Sequence, residues 1–327
     1  MAGDGAYVDP TPILEVLPTR LRSWAQRLSP GVWRQLEEIR LRVNQPVQLL
    51  TATREGFLGA DGWLAHPEQV PLVMRAEVEQ IVRLASQHSL YAHEEQIRQG
   101  FLTLPGGHRL GLAGRVVVEQ GRVRSLQFIS SVSIRLHRPV NGGAESVLPS
   151  LVAPHPPYVY STLVISPPGC GKTTLLRGLT RALANGAACL SLPPRNVVVV
   201  DERSELAGSW QGVPQSDLGL RTDVLDGCPK AEGIVWALRA LAPHVIVTDE
   251  IGRAEDVPAL LEAERAGVAV IASAHGSSWQ EVVSRPLLAP LRTSRYFRRA
   301  VLLSRRQGPG TVEQVFVPPS PPAPAAS

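Results

Sequence analysis

Ser166-Pro-Pro-Gly-Cys-Gly-Lys-Thr-Thr174 decides how this chain is read. An apolar run, Tyr158–Ile165, leads into it, and a helix-forming run, Lys172–Leu183, leads away. Strand, glycine-rich turn and helix in that order make a phosphate loop. The match lacks only the first glycine, where Ser166 stands instead. Gly169 and Gly171 allow the backbone to turn its N–H groups inward around phosphate oxygens. The helix N-terminus adds the positive end of its dipole. Lys172 supplies a mobile charge for the β- and γ-phosphates, and Thr173 a hydroxyl for Mg²⁺. Pro167, Pro168, Cys170 and Thr174 complete the expected nucleotide-binding set, so ATP and Mg²⁺ are the expected ligands. A plain turn between strand and helix is the alternative, but it calls for glycines alone.

Downstream, apolar strands alternate with helices, which implies βαβ units and an α/β fold with a mostly parallel sheet. The pattern predicts strands at Val197–Val200, Val245–Val247 and Val268–Ala272, and helices at Ala231–Leu241 and Val257–Ala266. Ligands of such sheets bind outside the carboxyl ends of the strands. Each predicted strand ends in polar residues there: Asp201-Glu202-Arg203, Asp249-Glu250 and Ala274-His275-Gly276. Asp249 is expected to hold Mg²⁺, directly or through water, and Glu250 to act as base or orienter for the attacking water. Glu202 is a candidate for positioning water or metal; the alternative is a salt bridge with Arg203 or Arg195. His275 is a candidate sensor of the γ-phosphate, with a structural histidine as the alternative.

Upstream, residues 1–30 read as a peripheral helical lead-in, with Leu14, Leu17, Leu21 and Trp24 at helical spacing. Residues 31–150 read as an N-terminal α+β domain. Glu38–Val43 alternates like a half-buried strand, and Arg75–Ser86 reads as a helix. Gly100–Leu104 and Arg109–Val118 form a hairpin about Gly106-Gly107, and Gln120-Gly121 marks a second turn. Residues 151–157 read as a linker, 158–317 as the ATPase core, and 318–327 as a disordered proline-rich tail. Of the 327 residues, 44% are hydrophobic and 19% charged, which excludes a disordered chain. No apolar run approaches the roughly 18–20 residues of a membrane span. Met1–Pro10 lacks the features of a secretory signal, and three cysteines argue against a disulfide framework, so a cytoplasmic location is expected. The net charge is +4, and of 33 basic residues only Lys172 and Lys230 are lysines. Base composition explains scarce lysine but not the place of Lys172. Basic balance permits nucleic-acid binding. With only 5% aromatic residues and no aromatic-interleaved basic stripe, that partner is not expected.

The sequence resembles the stage III sporulation protein AA family, relatives of the type II and type IV secretion ATPases, over about residues 30–317. The resemblance is carried by Glu37–Val43, Gly106–Arg115, Ile165–Leu176, Val200–Glu205, Asp223–Gly233 and Val247–Arg253. It implies a RecA-like P-loop ATPase core behind a smaller N-terminal domain. It also implies an acidic box at Asp201–Glu205, a Walker B pair at Asp249-Glu250 and a histidine box at Ala274–Gly276. Such proteins form hexameric rings with ATP held between domains or subunits. The sporulation branch is expected to power a membrane-embedded channel between mother cell and forespore, from the mother-cell cytoplasm. That branch tolerates serine at position 166, and the chain has no four-cysteine zinc element. An arginine finger is expected from Arg253, Arg135 or Arg138. Lys230 falls in the Asp223–Gly233 stretch, where an exposed helix N-terminus is the plain reading. A nucleotide-switched ring component with little turnover is the other open reading.

Overall fold

Charged and apolar residues alternate through Leu36-Glu-Glu-Ile-Arg-Leu-Arg42, and the computed structural model makes this segment the middle strand of a seven-stranded sheet. Residues 9–68, 70–89, 93–138, 142–154, 157–288, 290–291 and 296–319 are described. The chain divides into two compact units, Met1–Pro139 and Val140–Ser327.

In the first unit the strands are β1 (Leu36–Arg42), β2 (Gln48–Thr51), β3 (Glu55–Gly59), β4 (Gly62–Leu64), β5 (Phe101–Thr103), β6 (Arg109–Glu119) and β7 (Arg122–Arg135). Their order is β4-β3-β2-β1-β7-β6-β5, and every pairing is antiparallel. The helices are α1 (Thr11–Val16), α2 (Thr19–Ala25), α3 (Pro30–Gln35), α4 (Arg75–Ala85) and α5 (Glu94–Arg98). Residues 11–25 are not peripheral. Ile13, Leu17 and Leu21 are fully buried in one core with Ile39, Leu41, Ile81 and Leu110. The helical spacing there marks a real apolar face, but Pro18 lacks an N–H and divides the lead-in into two short helices.

His108 belongs to this core. It is 3% exposed, and its Nδ1 accepts the His137 N–H at 2.9 Å. Burial, opposed by Asp9, lowers its pKa from 6.5 to about 4. Between those values the unfolded chain takes up a proton that the folded chain refuses, so stability is present near neutrality and lost as pH falls through that window. The full loss is about 3 kcal/mol. Urea melts at pH 7 and pH 4.5 are expected to show a smaller acid loss in His108→Gln than in the native protein. Equal losses in the two proteins count against this role for the histidine.

The inner strands of the second unit are apolar on both faces, as a sheet covered on both sides requires. Its strands are β8 (Thr162–Ser166), β9 (Val197–Asp201), β10 (Thr222–Asp226), β11 (Val245–Glu250), β12 (Ala269–His275), β13 (Arg299–Ser304) and β14 (Thr311–Phe316). The order is β10-β9-β11-β12-β8-β13-β14. All pairings are parallel except β13 with β14. The helices are α6 (Ala144–Leu151), α7 (Lys172–Asn185), α8 (Lys230–Ala240), α9 (Asp256–Arg265) and α10 (Trp279–Val283). Along β9 the side chains alternate between two layers. Val197 and Val199 join the core that holds α6 and α7 residues, and Val198 and Val200 the core that holds α8, α9 and α10 residues.

Several expectations shift in position. The strand before the phosphate loop begins at Thr162 instead of Tyr158, because the chain doubles back ahead of it. Val152 bridges Val159, and Tyr160 N–H donates to Leu151 O at 2.9 Å. The 151–157 stretch therefore lies within the second unit, and the boundary between units falls before α6. Residues 155–156 of that stretch, and 320–327 of the expected disordered tail, lie outside the described residues. Among the described residues no helix is long and apolar enough to cross a membrane.

Candidate active site

Parallel pairing in register carries the carboxyl ends of β8, β11 and β12 to one rim. The phosphate loop leaves β8 there and enters α7, whose first residue is Lys172. Gly169 and Gly171 have φ of 70° and 87°, the left-handed region that side chains rarely adopt. A Cβ on Gly171 would also sit 2.7 Å from the Gly310 backbone nitrogen. Gly310 N–H in turn donates to Cys170 O at 2.9 Å, so the turn between β13 and β14 rests on the loop.

Lys172 Nζ donates to Ser166 O at 3.1 Å, to Pro167 O at 3.3 Å and to His275 Nδ1 at 2.8 Å. An ammonium has no acceptor, so Nδ1 accepts and the ring carries its proton on Nε2. That nitrogen lies 2.9 Å from Glu250 Oε2. A continuous chain, Lys172–His275–Glu250, thus crosses three strand ends. Burial lowers the Lys172 pKa, with Glu250 opposing.

These groups face a cleft of about 410 Å³, lined also by Pro168, Gly169, Gly171, Thr173, Thr174 and Asp249. Ser166, Pro167 and Cys170 shape the loop without lining the cleft. Ser166 is fully buried and its Oγ donates to Pro167 O at 2.8 Å. Arg203 and Glu205 line the cleft, and so do Ser273 and Pro309, which sequence reasoning missed. Ser273 lies two residues before His275 on a strand already singled out. Pro309 enters only through the packing of a distant hairpin turn and has no local signal.

The loop after β9 is clamped from within. Asp201 is fully buried, and its carboxylate accepts N–H bonds from Glu205 (2.9 Å), Leu206 (3.0 Å) and Ala207 (2.7 Å). Burial pushes its pKa up to about 6 against the pull of those donors. Arg177 of α7 holds the other side of the loop, donating to Leu206 O at 2.7 Å and Glu205 O at 2.6 Å.

Glu202 is paired neither with Arg203 nor with Arg195. Its partners are Lys230, at 3.0 Å, and Arg253, at 2.7 Å. Lys230 also lies 3.1 Å from Asp249 Oδ1. Burial pushes the Asp249 carboxyl up, with Lys230 opposing. Burial would lower Lys230, but Asp249 and Glu202 more than offset it, and its pKa is raised. Arg253 does not line the cleft, and in the first unit Arg138 donates to Trp33 O and Leu36 O. Arg135 lies 4.0 Å from Glu38.

Mg²⁺ fits this arrangement as a partner of a bound nucleotide. Thr173 and Asp249 supply oxygens to the same cleft. Among the described residues no group of three or more His, Cys, Asp or Glu gathers that would hold a metal alone. The remaining ligands would have to be phosphate oxygens and water.

Solved structures with the same architecture include the ATPase DotB of Legionella pneumophila, with TM-score 0.54 and 15% identity, covering 87% of this chain and 77% of that one. The pilus retraction motor PilT with bound ADP gives TM-score 0.51 and 14% identity, covering 82% and 74%. At such identity the likeness shows the fold alone: an α/β, RecA-like core with a mostly parallel sheet, joined to a smaller N-terminal α+β unit. Stage III sporulation protein AA of Bacillus subtilis is 42% identical over 309 residues, which span 93% of this chain and 94% of that protein. The family model described as Sporulation stage III, protein AA matches residues 10–318. Matched along nearly its whole length, the chain belongs to that sporulation family.

Proposed function

We propose that the cleft binds Mg-ATP and hydrolyses it, and that the chain is a secretion-type ATPase energising a channel between mother cell and forespore. The observation that carries this reading is the Lys172–His275–Glu250 chain across three adjacent strand ends of one cleft. Structural relatives support it: DotB is an ATPase, and PilT a motor with ADP bound.

In this reading the phosphate loop N–H groups and Lys172 bind the β- and γ-phosphates. Lys172 exchanges its contacts with Ser166 O and Pro167 O for phosphate oxygens. Mg²⁺, held by Thr173 and Asp249, would neutralise charge on the phosphates. Glu250 accepts a proton from, or orients, the attacking water, and His275 holds Glu250 in place through Nε2. Arg203 on the cleft wall is available to the developing charge. Ring assembly, membrane-embedded channel partners and a peripheral place on the mother-cell side of a membrane complete the proposal.

The test is nucleotide binding and turnover by native protein and Lys172→Ala. Lys172→Ala is expected to lose binding of a fluorescent ATP analogue by on the order of 10²-fold and to lose turnover with it, since a charge-assisted contact to phosphate disappears. Native-like binding in that variant sinks the assignment of the cleft.

A further inference from the structure

The two lysines among 33 basic residues both stand at the rim of the second sheet. Lys230 opens α8, yet it is no exposed helix end: its side chain is 5% exposed, with Nζ 3.0 Å from Glu202 Oε2 and 3.1 Å from Asp249 Oδ1. Those carboxylates are each 15% exposed and belong to the ends of the neighbouring strands β9 and β11. Gly233 explains how α8 comes so close. A Cβ there would lie 2.5 Å from Val200 Cγ1, so only glycine lets the first turn of the helix press on β9. A compact ammonium on a flexible stem can serve carboxylates on two strands, whereas a planar guanidinium is matched to one. Arg253 shows the contrast, reaching Glu202 Oε1 alone, at 2.7 Å, from a 62% exposed side chain.

We propose that Lys230 is an internal counterion that occupies the Asp249–Glu202 pair in the nucleotide-free protein, so that a divalent cation enters at Asp249 only together with nucleotide phosphates. The inference rests on the reading of the cleft as an Mg-nucleotide site. Two carboxylates on adjacent strand ends are a natural hard-cation pair. With an ammonium already between them, a free cation meets a positive charge and gains little. A bound nucleotide brings its own negative charge and oxygen ligands, and the balance tips toward the metal. Lys230 is thereby a positioning residue that acts through Asp249.

The experiment measures binding of Mn²⁺ alone, without nucleotide, by loss of the free-ion EPR signal in full-length proteins. Native protein is expected to take up Mn²⁺ weakly. Lys230→Met is expected to bind it tighter by on the order of tenfold or more, the floor set by one unit charge at this range even with water's dielectric. Lys230→Arg retains the charge but is matched to one carboxylate, and is expected to fall between native and Lys230→Met. If Lys230→Met does not fold, Lys230→Gln, neutral but able to donate hydrogen bonds to the same carboxylates, is the second lysine-free variant and is expected to bind Mn²⁺ tighter than native. Adding Asp249→Asn is expected to abolish the gain in either background. Equal Mn²⁺ affinity in native and lysine-free proteins, or a gain that survives Asp249→Asn, overturns the inference. Binding of a fluorescent ADP analogue, measured in parallel, separates the two claims. Native protein that binds no nucleotide defeats the ATPase reading, while the Mn²⁺ comparison still judges Lys230.

Discussion

Glu250→Gln is expected to bind nucleotide as the native protein does and to lose about 10²–10⁴-fold in turnover. The substitution is close to isosteric. The glutamine carbonyl still accepts the His275 Nε2 proton, so the Lys172–His275 contact at 2.8 Å has no reason to break. What disappears is the negative charge and the basic lone pair that face the cleft. Removing a group that acts only in the transition state lowers turnover while leaving ground-state binding intact. Lys172→Ala is the opposite case, because it strips charge from bound phosphate. Phosphate release under single-turnover conditions, set beside analogue binding, distinguishes the two. Native-like hydrolysis by Glu250→Gln would falsify its role as base or orienter.

Asp201→Ala is expected to cost about 3–5 kcal/mol of stability, since three buried backbone donors lose their acceptor at once. The N–H groups of Glu205, Leu206 and Ala207 converge on one fully buried carboxylate. No water reaches that side chain to replace it. Asp201→Asn keeps the shape and one acceptor oxygen, and it buries no charge; a loss of about 1–2 kcal/mol is expected because an amide NH₂ replaces the other oxygen and faces a backbone N–H that loses its acceptor. Denaturant unfolding of both variants provides the comparison, with the midpoint as the readout. The alanine variant is also expected to loosen the stretch that presents Arg203 and Glu205 to the cleft, despite the grip of Arg177 on Leu206 O and Glu205 O. An alanine variant with the native midpoint rejects this account of Asp201.

Local chemistry made much of the second unit readable. The phosphate loop needs glycines, a lysine and a hydroxyl at fixed spacing, and the valine-rich strands are apolar on both faces because helices cover both sides. Strands that depart from that pattern escaped. Thr222-Asp-Val-Leu-Asp226 carries charge at two of five positions because β10 is an edge strand and half exposed. β13 and β14 have no helix between them and join as a hairpin beyond the alternating units. The lead-in helices looked peripheral because a short amphipathic stretch does not say what covers its apolar face.

The amino-acid order alone determined which groups end the strands: a lysine-bearing loop, Asp249-Glu250 and His275. Each depends on neighbours a few residues away, and covalent spacing sets those. Tertiary structure decided which groups meet. Placing β12 between β11 and β8 joins Lys172 to Glu250 through one imidazole. The close approach of α8 to β9 buries Lys230 between two carboxylates. Sheet order and helix approach arise from packing among residues far apart in the chain, and no local spacing encodes them.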